Sequence, residues 1–250
     1  MNEAARDVLA ENLFTRLFAD AERVRWSLEA IPWDRIDKAR VTPELTALVR
    51  DTAQAELTTT TATHRFLSEY SDDTDFTQWI SVWFYEETKH PHVLLRWLQA
   101  VGVTVDDAFF RRGRVAAPFM RSRVAMLVSN IISEMTAAAG YAGLAERVGE
   151  PVLARILRYL AADEGRHAAS FYVYTRRYLA RSTQLDQDRR DALKVLYLWL
   201  DGNVRHPVNT HVTTTESAVI PRERILRLIG ELVELPLTES RDVLHHVGAT

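Results

Sequence analysis

An all-α helical bundle is the fold class this sequence predicts, and three observations predict it. Apolar residues recur at helical spacing through most of the chain. The periodic stretches are long and joined by short polar breaks. Glycine and proline are scarce, nine and eight among 250 residues, too few for the many turns of an all-β sandwich.

The elements follow in order. Leu9, Leu13, Leu17, Ala21, Val24 and Leu28 predict an amphipathic helix over residues 4–29, broken by Ile31-Pro32-Trp33. Thr42-Pro43 reads as an N-cap and first-turn proline, and opens a second helix to about Tyr70. Ser71-Asp72-Asp73-Thr74 is a polar turn before a third helix over 75–101, ended by Gly102. Pro118 opens a fourth helix to about Val148, and Gly149-Glu150-Pro151 reads as the next turn. A fifth helix runs to about Arg181 and a sixth from Asp186 to Asp201. Beyond Gly202 the pattern loosens: His206-Pro207 and residues 213–215 read as loop, with shorter helices near 221–234 and 238–247. With no low-complexity linker, residues 1–250 read as one domain, its bundle core at about 43–181 with additional N- and C-terminal helices.

Composition excludes several functions. The formal charge of -3 and the absence of a dominant basic face argue against nucleic acid. The chain has no cysteine, so disulfides, thiolate zinc sites, iron–sulfur clusters and cysteine nucleophiles are out, and electrons for redox chemistry must arrive from another protein. Residues 1–10 lack the basic start and apolar run of a signal peptide. No stretch reaches the roughly 18 apolar residues of a membrane span, so a cytoplasmic protein is expected.

One pattern carries chemistry. In the third helix Ile80, Trp83, Glu87, His90, Leu94, Trp97 and Val101 share a face, which puts Glu87 and His90 inside an apolar stripe. The fifth helix repeats this with Leu157, Leu160, Glu164, His167, Phe171 and Tyr174. Each Glu-x-x-His pair follows a lone stripe glutamate, Glu56 by 31 residues and Glu134 by 30. This order is the ligand set expected of a bundle-core site for two iron or manganese ions. Burying four ionised glutamates without cations would cost several kcal/mol each. That exceeds the roughly 5–15 kcal/mol stability of a whole domain. Carboxylates with imidazoles are hard, mixed ligands that suit iron or manganese better than copper or structural zinc.

The segments Trp83-Phe84-Tyr85-Glu86-Glu87-Thr88-Lys89-His90 and Ala161-Ala162-Asp163-Glu164-Gly165-Arg166-His167 resemble those of the soluble acyl carrier protein desaturases, within the ferritin-like superfamily. The likeness runs from about Trp26 to Tyr178, and more faintly through Arg205-His206-Pro207. It implies a ferritin-like four-helix bundle in which Glu56, Glu87, His90, Glu134, Glu164 and His167 hold two Fe ions, with Mn an option at either position. It further implies that Asp163, and by analogy Glu86, hydrogen-bond the ligand histidines, and that Trp26 lies on the electron route.

There are departures. Ala137 stands where that family has threonine, and Pro91 follows His90, where it removes a backbone hydrogen bond and should kink or bulge the helix. Thr59, Thr60 and Thr63 are placed to supply a hydroxyl instead.

The resemblance implies an O2-dependent oxidoreductase that introduces a double bond into an acyl chain carried as a thioester. A ferredoxin-type electron donor, acyl carrier protein or another thioester carrier, and a homodimer go with it. An apolar channel would then run along Trp83, Phe84, Trp97, Met126, Met135 and Phe171, and Arg111, Arg112, Arg114, Arg121 and Arg123 would receive the acidic carrier. The alternative is a related di-iron oxygenase or oxidase acting on a specialised metabolite. A third reading is non-catalytic iron handling.

Overall fold

The computed structural model describes residues 12–112, 122–201 and 222–247. Among them the regular structure is helical. Helix α1 spans Leu13–Val24, capped by the Asn12 side chain on the Thr15 amide. It ends five residues before the expected 29: Arg25 turns extended, Trp26 swings inward, and short 3-10 turns follow at Leu28–Ala30, Trp33–Arg35 and Lys38–Arg40. The helical start expected from residue 4 lies outside the described residues.

The second expected helix is two helices, α2 (Pro43–Glu56) and α3 (Thr59–Glu69). The break falls immediately after Glu56. The Thr58 hydroxyl bonds back to the Ala55 carbonyl at 2.8 Å, and a run of β-branched threonines follows, both unfavourable to a continuous helix. Helix α4 (Thr74–Ala100) is capped by Asp73 and continues through Pro91. A short helix α5 (Asp107–Arg112) follows, which the periodicity does not predict.

Helix α6 (Arg123–Arg147) is capped by Ser122; the expected start at Pro118 lies outside the described residues. Helix α7 (Pro151–Ala180) begins at Glu150, which is more than a turn residue. Fully buried, Glu150 accepts hydrogen bonds from the Val152 and Leu153 amides, the Asp37 amide and the Trp97 indole, and so ties three parts of the chain together. Helices α8 (Leu185–Leu200), α9 (Arg222–Val233) and α10 (Ser240–Val247) flank the bundle as expected. The loop reading of His206-Pro207 and residues 213–215, and the faint likeness at Arg205, lie outside the described residues.

The bundle is formed by α2–α3, α4, α6 and α7, with α6 and α7 the most extensively packed pair. Its apolar interior divides into two clusters. One contains Trp83, Ile131 and Phe171, the other Leu94, Ala137 and Leu160. On each of the long helices the ionisable stripe residues fall between these positions. A polar layer therefore crosses the bundle, sealed by apolar packing at both ends. Among the described residues no helix is long and apolar enough to cross a membrane.

Candidate metal centre

All six residues predicted as ligands meet in this layer, each no more than 5% exposed. They form two groups, each of which can hold a metal ion: Glu56, Glu87, His90 and Glu164, and Glu87, Glu134, Glu164 and His167. Glu87 and Glu164 belong to both. With an ion in each group, Glu56 and Glu134 would each serve one ion, and Glu87 and Glu164 would serve both.

The imidazoles point inward by Nδ1. Nδ1 of His90 lies 3.7 Å from Glu56, 3.5 Å from Glu164 and 3.9 Å from Glu87. Nδ1 of His167 lies 2.9 Å from Glu87, 3.4 Å from Glu164 and 3.7 Å from Glu134. Neither Nδ1 makes a hydrogen bond, nor do Glu87 Oε1 and Glu164 Oε2, although all are buried. Buried polar atoms converging without partners are the donor set of a cation. Two divalent ions would offset four carboxylates, so these residues fit two metals.

Electrostatics inside the layer agree. Burial pushes the Glu56 carboxyl up to about 8. Burial, reinforced by Glu164 and Glu87, pushes Glu134 up as well. Burial would raise Glu164, but the closeness of Glu134 and the two imidazoles outweighs it and pulls Glu164 down. Burial alone would lower both histidines, but the surrounding carboxylates hold them well above the ordinary range.

The outer nitrogens of the two histidines are held by a crossed pair of acids. Nε2 of His90, on α4, lies 3.3 Å from Asp163 on α7; Nε2 of His167, on α7, lies 3.0 Å from Glu86 on α4. Arg166 joins them, its guanidinium 2.9 Å from both carboxylates. Trp26 donates its indole N–H to Asp163 at 2.7 Å. Three hydrogen-bonded groups, Trp26, Asp163 and His90, thus connect the N-terminal segment to one half of the site. The Trp26 ring lies between the Tyr159 ring, stacked at 5.4 Å, and the Lys89 ammonium, 4.5 Å from its centroid.

Several residues at the site were not assigned from the sequence. Tyr141 donates its hydroxyl to Glu56, and Trp83 its indole N–H to Glu134 at 3.2 Å, so each terminal glutamate is held by an aromatic donor. Tyr141 is two helical turns beyond Glu134 on the same stripe, which is the signal that finds it. Trp83 was placed along a channel. Arg166 and Lys89 stand inside the two Glu-x-x-His motifs, where a charge spaced to reach the outward acids is a readable sign.

Of the candidate threonines, Thr59 donates to Glu87 Oε2 at 3.1 Å, Thr60 is exposed, and the buried Thr63 hydroxyl makes no hydrogen bond. A cavity of about 50 Å³ adjoins the carboxylates, bordered by Thr58, Thr59, Trp83, Asn130, Ser133 and Ala137. That is room for about three or four water-sized molecules. Trp97, Met126 and Phe171 are fully buried in the apolar packing and do not border it.

Among the arginines expected to form a landing patch, Arg111 and Arg112 are exposed at the end of α5. Arg123 binds Asp72 through both terminal nitrogens, at 2.6 and 3.1 Å, and covers the Tyr70 ring. Arg114 and Arg121 lie outside the described residues.

No protein-family profile matches the chain, and no curated protein matches it in sequence. Solved structures of R2-like ligand-binding oxidases share its fold. A variant with anaerobically reconstituted Mn/Fe cofactor superposes with a TM-score of 0.63 at 20% identity, covering 90% of this chain and 93% of that one. The oxidase from Sulfolobus acidocaldarius gives 0.63 at 17% identity, covering 93% and 94%. A second variant, with aerobically reconstituted Mn/Fe cofactor, gives 0.60 at 20% identity, covering 96% and 91%. The chain therefore shares the helical-bundle fold of these proteins.

Proposed function

We propose that the chain is a dimetal oxidoreductase that uses O2 to oxidise a small substrate, with two Fe ions or an Mn/Fe pair in the layer between α2, α4, α6 and α7. The observation that carries this reading is the pair of four-ligand groups sharing Glu87 and Glu164. Two adjacent, redox-active ions would supply reduction of O2 and oxidation of a substrate bond, chemistry that no side chain provides.

The residues of the chain position and insulate. Asp163 and Glu86 fix the two imidazoles with Nδ1 inward and raise their basicity. Tyr141 and Trp83 orient the terminal glutamates. Apolar clusters on both sides exclude bulk water, which strengthens every charge interaction in the layer. The Thr59 hydroxyl on Glu87 borders the cavity and stands where a proton can be handed to a bound molecule, replacing the hydroxyl that Ala137 lacks. Since the chain has no cysteine, electrons come from a separate donor, and Trp26–Asp163–His90 is the hydrogen-bonded entry to the site.

The oxidase or oxygenase reading is preferred to acyl desaturation. The solved proteins of the same fold support it. The two motif segments around His90 and His167 still favour desaturation as the second reading, with a thioester carrier as partner.

One experiment separates them. Protein loaded anaerobically with Fe(II), or with Mn(II) and Fe(II), is exposed to O2 with a reductant and a panel that includes acyl carrier protein thioesters and small aromatic and aliphatic acids. O2 consumption and product masses are then followed. Gain of one oxygen, or oxidation without loss of two hydrogens from a thioester, supports the proposal; loss of two hydrogens from a thioester establishes the desaturase. A protein that holds two metals per chain and consumes no O2 is not an oxidase.

A further inference from the structure

A second, larger cleft lies on the outer side of α6 and α7, under α9. It measures about 530 Å³, within the roughly 300–1,000 Å³ typical of small-molecule sites. Its walls belong to a different face from the metal layer. Met135 and Gly165 border it, each the residue after a ligand, and so turned about a quarter of the helix circumference away from Glu134 and Glu164.

The space exists because of the side chains chosen there. Six of the lining residues are alanine or glycine, in a bundle whose interior is otherwise filled by tryptophan, phenylalanine and leucine. Close-packed interiors leave few voids larger than water, so an opening of this size between packed helices is room for a ligand. At Gly165 a Cβ would meet nothing within 4 Å, so even the α7 backbone is uncovered.

The polar groups at its edge define what enters. Tyr172 borders the cleft, but its hydroxyl is already donated to Glu231 at 3.1 Å. Arg224 is exposed, lines the opposite end of the same α9 stripe, and has no ion-pair partner among the described residues. An apolar trough bordered by the exposed Arg224 guanidinium, unpaired among the described residues, matches an apolar body bearing one acid group. A cation would be repelled by Arg224, and a neutral hydrocarbon would gain no charge-assisted contact from it. The opening is a concave pocket rather than the broad face of about 800 Å² per partner that a second copy would bury.

We propose that this cleft binds a single-headed anionic amphiphile, its carboxylate or sulfonate on Arg224 and its apolar body along the alanine-lined wall between α6 and α7. The site is separate from the metal layer and stands whether or not the oxidase reading holds.

The test uses the full-length, metal-loaded chain and two fluorescent probes: anionic 1-anilinonaphthalene-8-sulfonate and its uncharged relative N-phenyl-1-naphthylamine. The sulfonate is expected to bind saturably at one site per chain and to be displaced by dodecanoate. Gly165→Leu, whose side chain enters open space, is expected to weaken both probes at least about tenfold without lowering the melting temperature. Arg224→Gln is expected to weaken the sulfonate about tenfold, one charge-assisted contact, and to leave the neutral probe unchanged. No saturable binding to the wild type overturns the proposal, and so does either variant binding the sulfonate as the wild type does.

Discussion

Glu86 lies 3.0 Å from Nε2 of His167, a histidine carried by the opposite helix of the site. Asp163 makes the reciprocal contact with His90, so the acid beside each bridging glutamate supports the other helix's histidine. The two metal positions are therefore not independent halves. The two groups have Glu87 and Glu164 in common and, behind the imidazoles, share one guanidinium.

Arg166 is where that coupling can be broken. Against their burial, Glu86 and Asp163 are held below the ordinary carboxylate range first by the histidines and then by the Arg166 charge. Arg166→Gln leaves two buried carboxylates without their shared cation, and breaking such a pair costs about 3 kcal/mol. A fall in thermal stability and a roughly 10–100-fold loss of metal affinity at both positions are expected, read by melting curves and chelator competition. A loss confined to one position would show that the guanidinium is not a shared support.

The sharing of Glu87 and Glu164 makes a stoichiometric prediction. From spacing alone, Glu164→Ala would be expected to empty one position. Because Glu164 belongs to both groups, it and Glu87→Ala are expected to bring metal content from two ions per chain to near zero. Glu56→Ala and Glu134→Ala should each retain about one, since each removes a terminal ligand. Elemental analysis of the purified variants decides this, and equal losses in all four would remove the distinction between bridging and terminal ligands.

The ligand set and the long helices were legible because both are periodic. A buried glutamate at stripe spacing is visible when apolar residues flank it at three and four positions, as Trp83 and Leu94 flank the Glu87–His90 pair. Which acid meets which histidine was not legible, since it depends on how α4 and α7 face each other across the bundle. The early end of α1 was equally hidden. The stripe continues to Leu28, but the hydrogen bond of Trp26 to Asp163, 137 residues away, turns the chain inward at Arg25. The break after Glu56 was announced only by four consecutive threonines. Of the residues expected along an acyl channel, Trp97, Met126 and Phe171 are buried in apolar packing, because bulky apolar side chains at stripe positions serve a core as readily as a channel.

Metal binding should depend on pH in a defined direction. Without metal, Glu56 holds its proton up to about 8, and an unfolded chain releases it near the ordinary 4.5. Between those values the folded state binds more protons, so metal-free stability falls as pH rises. His90 and His167, held high by their carboxylates, act in the same sense, whereas Asp163 and Glu86 are depressed and lose their contribution only in acid, below this window. Metal ions must displace the protons on Glu56 and the histidines, so affinity rises with pH. Melting temperatures with and without Mn(II) at pH 6 and pH 8 should show the larger metal-dependent gain at pH 8; equal gains would contradict the proton release.

Trp26 distinguishes a support from an entry route. Its indole is buried, bonded to Asp163 at 2.7 Å and pressed between Tyr159 and Lys89. The ammonium over the ring disfavours a positively charged indole, so Lys89 makes Trp26 harder to oxidise. Trp26→Phe keeps the stack and removes the N–H, leaving Asp163 held by Arg166 and His90. If the residue only supports, metal content and melting temperature shift together, while reduction of the loaded protein by an external one-electron donor keeps its rate. The expected outcome is the reverse: two metals per chain retained, and reduction slowed at least about tenfold in stopped-flow absorbance. Lys89→Met keeps an apolar side chain at the ring without the charge, and is expected to leave metal content unchanged while making Trp26 easier to oxidise, seen as faster quenching of its fluorescence by a one-electron oxidant.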